Sequence, residues 1–87
     1  MSNATDIRTE MMISLTAYLK GRQSLRDVLA WEAEYALAPD VPRPVRTDLD
    51  QLALIGEEVD SGVRDEVEFR ALAESIVRAS DVATRAS

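Results

Sequence analysis

Apolar residues return at helical spacing in four separate blocks of the chain. On a wheel of about 100° per residue, Ile7, Met11, Met12, Leu15, Tyr18 and Leu19 share one arc of roughly 140°. This predicts a first helix over about 6–20, with Thr5 or Asp6 as N-cap and Gly21 just past its end. Leu25, Val28, Leu29, Trp31, Ala33, Tyr35 and Ala36 cover a broader arc of about 200°. A second helix over about 25–37 follows, opened by a capping box between Ser24 and Asp27 and stopped by Pro39. Leu49, Leu52, Ala53, Ile55, Gly56 and Val59 predict a third helix over about 48–60, opened at Thr47. Phe69, Leu72, Ala73, Ile76 and Val77 predict a fourth over about 66–79, with the residues after Ser80 fraying.

The links at Gly21–Gln23 and Ser61–Arg64 are short enough to make two αα-hairpins. Between them, Pro39-Asp40-Val41-Pro42-Arg43-Pro44 reads as an extended connector. No segment alternates as a strand does. The expected fold is all-α: one domain, an antiparallel four-helix bundle of two hairpins joined by a proline-rich connector. Gly56 lies inside an apolar arc, where glycine costs about 1 kcal/mol against alanine. Either a close helix approach offsets that cost or the position simply tolerates it.

Composition narrows the chemistry. The 87 residues contain no histidine and no cysteine. A general base near neutral pH would have to be a shifted carboxylate, lysine or tyrosine, and Lys20, the one lysine, borders a glycine turn. There is no glycine-rich phosphate loop and no Cys/His metal spacing. Asp48-x-Asp50 begins like a calcium loop, but Leu52 breaks the series. The expectation is a protein that is not an enzyme and has no cofactor and no metal.

The formal net charge of −6 runs opposite to the basic stripe of nucleic-acid binders. No apolar run suits a membrane span and no basic region leads into one, so neither a span nor a signal peptide is expected. Cytoplasmic residence fits the absence of cysteine. Ser2-Asn3-Ala4 has the look of a tag remnant and equally of native sequence. A basic protein is the electrostatically natural partner, although net negative charge commonly serves solubility alone.

From Asp48 to Glu68 the chain carries Asp48, Asp50, Glu57, Glu58, Asp60, Asp65, Glu66 and Glu68 against Arg64. Most of these carboxylates sit in first turns of helices, where the dipole favours them. Glu57, Glu58 and Asp60 approach a helix C-terminus instead, which makes them the candidate partner-binding residues of a negative end. A second candidate patch is apolar: Trp31 at the edge of its arc, with Ile13 and Leu54 off theirs. If they cluster, they suit a structural or oligomerisation domain, with a homodimer as its simplest form.

The stretch Tyr18-Leu19-Lys20-Gly21-Arg22-Gln23-Ser24-Leu25-Arg26-Asp27-Val28-Leu29-Ala30-Trp31 resembles a pattern in small bacterial helical proteins of uncharacterised function. In those proteins a leucine-glycine turn precedes Ser-Leu, an acidic residue and a tryptophan. A second glycine turn and acidic cap, here Gly62 to Glu68, often follows. In size, layout and acidity the chain is also similar to colicin-D-type immunity proteins, small helical bundles that block a nuclease toxin. That likeness implies an inhibitor of a basic partner. Neither resemblance transfers a functional residue.

Overall fold

Residues 7, 11, 15 and 18 recur at steps of four, four and three, and this spacing stacks Ile7, Met11, Leu15 and Tyr18 along one buried side of α1 (Ala4–Leu19). The computed structural model describes residues 4–35, 38 and 40–86, with side chains for 7–35, 38 and 40–80. Pro39, Ala36 and the side chains of Thr5, Asp6 and Ala83 lie outside these. Gly21 takes φ 77° at the end of α1 and Gly62 takes φ 85° at the next hairpin, a left-handed conformation that glycine adopts without a Cβ clash. Ser24 caps α2 (Leu25–Ala33) in a complete box: its hydroxyl accepts from the Asp27 N–H, and the Asp27 carboxylate accepts from the Ser24 N–H.

The third helix corrects the sequence expectation. α3 runs Arg43–Asp60, five residues earlier than the expected start at 48. Pro42 is its N-cap and Pro44 lies in its first turn, where a missing N–H is no loss. The early start buries Val45, which the connector reading had left outside the core. α2 is shorter than expected, giving way to a turn at Glu34 and Tyr35. α4 (Glu66–Ala86) continues past residue 79 because no glycine or proline interrupts residues 80–86.

The helices close in a ring. α1 packs on α2, α2 on α3, α3 on α4 and α4 back on α1, with a smaller α1–α3 diagonal contact. Cross-helix pairs set an antiparallel register. The Tyr18 hydroxyl of α1 donates to Glu66 of α4 at 2.7 Å, and Arg8 donates to buried Ser80 at 3.4 Å. Tyr18 also meets Phe69 edge to face at 5.2 Å. The described residues thus form the all-α four-helix bundle that the periodicity implied, around Met11, Leu15, Val28, Val45, Leu49, Leu52 and Phe69.

Gly56 is a point of close approach. A Cβ there would lie 2.5 Å from Leu29 Cδ2 and 3.2 Å from Phe69 Cε1. The bare backbone lets α2 and α4 both seat against α3.

Arg46 fastens the α2–α3 link. Its guanidinium donates to the Tyr35 carbonyl at 3.0 Å and to the Ala38 carbonyl. These carbonyls lie beyond the end of α2, where no helical N–H reaches them. Arg46→Ala is expected to destabilise the fold by about 1.5–3 kcal/mol, the range for hydrogen bonds from a charged group. Urea unfolding gives the size, and faster amide exchange over residues 34–42 gives the place. Unchanged exchange there would contradict the tethering role.

Candidate functional site

The acidic end is partly neutralised from within. Arg64 donates to Glu58 at 2.6 Å and to Glu68 at 3.0 Å, so one guanidinium bridges the end of α3 to the start of α4. Arg26 of α2 reaches Asp60 at 3.4 Å. Asp65 is occupied locally, accepting from the Val67 N–H, and Glu66 from the Tyr18 hydroxyl. Of the three sequence candidates, Glu58 and Asp60 are therefore held in ion pairs. Glu57 is exposed and has no hydrogen bond or ion pair from its side chain among the described residues.

Glu32 was not among the sequence candidates. It is 7% exposed, buried in α2 beside Leu25 and Val28. Its carboxylate accepts no hydrogen bond and joins no ion pair among the described residues. None of the buried side-chain oxygens sealed from water there is unpartnered. The carboxylate tip of Glu32 must then touch solvent through the small opening left to it. Burial raises its pKa above the ordinary 4.5, and the negative charges of Asp50 and Glu57 raise it further; Arg46 opposes them. All three of these neighbours belong to α3. The signal was present in the spacing: residue 32 is seven after Leu25 and four after Val28, on the same inward face. Ala33, placed on the apolar arc, is exposed instead.

The resulting site is a seam along α2 and α3. Asp50 and Glu57 stand exposed on α3, seven residues apart on one side of the helix, and Glu32 lies between the two helices within their field. Arg46 closes one end while bound to backbone carbonyls, and the Arg26–Asp60 pair closes the other. The described residues contain no group of three or more acidic side chains placed to hold a metal ion. Asp48, half-buried, is also raised by burial, against the pull of Arg8.

Glu32 makes stability depend on pH. Its folded pKa lies above the unfolded one, so the folded state binds the proton more tightly. Its contribution is complete below about pH 4.5 and is lost as pH rises through the folded value. Glu32→Gln is thus expected to leave stability nearly unchanged near pH 4 and to raise it at pH 7. The difference between the two urea midpoints, followed across that range, isolates Glu32 from the other carboxylates. A difference that shrinks with rising pH would contradict the assignment.

The apolar candidates Ile13, Trp31 and Leu54 stand on α1, α2 and α3 respectively. Trp31 is half-buried against the core, its ring 5.2 Å from that of Tyr35. Leu54 is 59% exposed and lies in a groove of about 350 Å³ between α3 and α4 with Ile55, Leu72, Arg64 and Glu68. Ile13, 64% exposed on α1, lines neither that groove nor the one between α1 and α4. Val63 and Val67, which the helical wheel did not single out, are the other large exposed apolar side chains described. None of the described helices is long and apolar enough to cross a membrane.

No family model matches the chain, and neither a curated protein nor a solved structure matches it.

Proposed function

We propose that the chain is a non-enzymatic, acidic protein–protein interaction module whose basic protein partner docks on the α2–α3 face and the adjoining α3–α4 turn. The observation that carries this reading is uncompensated negative charge. Over residues 57–68 six carboxylates face one arginine of that segment, and Arg26 adds one more cation from α2. Glu57 keeps its charge free, with Asp50 a turn or two along the same helix. Such a surface steers a basic partner and favours it over an acidic one. An inhibitor that occupies a basic groove, as the likeness to colicin-D-type immunity proteins implies, is the sharpest form of the reading.

Leu54, exposed beside its groove, favours a second reading: a structural or oligomerisation domain that buries Leu54 against another copy. Co-purification from the native host separates the two. Reversing Glu57, Glu58 and Asp60 to lysine is expected to release a basic partner while the chain stays folded by circular dichroism. Changing Ile13 and Leu54 to serine is expected to leave that partner bound. Retention of the same proteins after charge reversal would defeat the interaction reading.

A further inference from the structure

We infer that the seam formed by Glu32, Asp50 and Glu57 is a receptor for the guanidinium group of an arginine on the basic partner. The inference rests on the reading above and gives it an anchor. Three observations converge on it.

First, Glu32 is 7% exposed as a residue, and its carboxylate has no hydrogen-bond donor among the described residues. A buried carboxylate is ordinarily matched by a donor, because an unmatched one loses its hydration for nothing. Here every nearby charge that raises its pKa is negative, and the one nearby cation, Arg46, directs its guanidinium to the Tyr35 and Ala38 carbonyls. Arg46 acts on Glu32 through its field, and no described residue donates a hydrogen bond to the carboxylate.

Second, the tip of the carboxylate is open to solvent, as the absence of sealed and unbonded oxygens requires. An incoming group therefore reaches Glu32 without unfolding α2.

Third, the negative field at Glu32 comes from two carboxylates, Asp50 and Glu57, seven residues apart on α3. A flat cation with five N–H donors suits that spread better than a point charge. It can give two donors to Glu32 and keep others for Asp50 or Glu57. Its long apolar stem can lie along half-buried Ala53, on the same side of α3.

The experiment titrates the full chain with a tetra-arginine peptide at low salt and follows the side-chain carboxyl carbons by NMR. Bound peptide is expected to lower the pKa of Glu32, since an adjacent cation favours the ionised form. Glu32→Gln is expected to weaken binding about fivefold or more, whereas Glu74→Gln, of equal charge change on α4, alters it less than twofold. A tetra-lysine peptide is expected to bind more weakly and to move Glu32 less. Equal weakening by the two glutamine variants would overturn the inference, as would an equal Glu32 response to tetra-lysine. Shifts confined to Glu58 and Asp60 would also overturn it while leaving the interaction reading intact. Failure of the chain to bind either peptide would remove both.

Discussion

Phe69→Ala is expected to lower stability by about 3–5 kcal/mol and to leave much of the chain unfolded at 37 °C. Phe69 is fully buried, and it is the only phenylalanine in the chain. It meets the Tyr18 ring edge to face and lies against the bare backbone of Gly56. Truncation therefore empties the point where α1, α3 and α4 converge. A chain of 87 residues has a total stability on the order of 4–13 kcal/mol, so the loss is a large fraction of the whole. Phe69→Leu keeps most of the volume and is expected to cost about 1.5 kcal/mol. Urea unfolding at 25 °C measures both. A loss below about 1 kcal/mol for the alanine variant would show that the core closes elsewhere.

Gly56→Val is the second large effect, a loss of about 2–3 kcal/mol by overpacking. Two contributions oppose each other here. Replacing glycine in a helix gains up to about 1 kcal/mol. The added carbons, however, meet Leu29 on one side and Phe69 on the other, at 2.5 Å and 3.2 Å for the Cβ alone. Leu29 Cδ2 is the far end of a flexible side chain and can turn aside; the Phe69 ring, fully buried, cannot. Gly56→Ala is therefore expected to lose only about 1 kcal/mol, with valine worse. Adding Leu29→Ala to Gly56→Val should recover at least about 1 kcal/mol relative to the sum of the single changes. Strict additivity would mean that the helices do not touch where the backbone places them.

The reach of the sequence differed by the kind of information each feature needs. Caps and turns are local. The Ser24–Asp27 box and the glycines at 21 and 62 are as their neighbours dictate. The apolar arcs placed Ile7, Met11, Leu15, Leu49, Leu52, Phe69 and Ile76 correctly in the core, because burial follows period. Errors arose where one residue type serves two purposes. Pro42 and Pro44 read as a connector, yet a proline is at home in the first turn of a helix, so α3 gained Val45. Gly56 was ambiguous because only the partner helix reveals why a side chain is missing.

The candidate site was harder to read. Glu57, Glu58 and Asp60 formed a plausible trio by charge, but the pairing of Asp60 with Arg26 needs the register between α2 and α3, which no local pattern encodes. Glu32 was not among the candidates, although it lies on the buried side of α2. Its position, four residues after Val28, marks the inward face, so a polar residue on an apolar arc was the missed signal. Over residues 57–68 the carboxylates still outnumber the one arginine.

The central claim is that this charge excess binds a basic protein. Its most direct test is the dissociation constant of the purified chain with the partner recovered from its native host. Wild type is measured beside the Glu57, Glu58 and Asp60 lysine variant at low and at high salt. At least a tenfold loss on charge reversal, and weaker wild-type binding in salt, is the predicted result. Affinity that survives both the reversal and the salt would contradict the account.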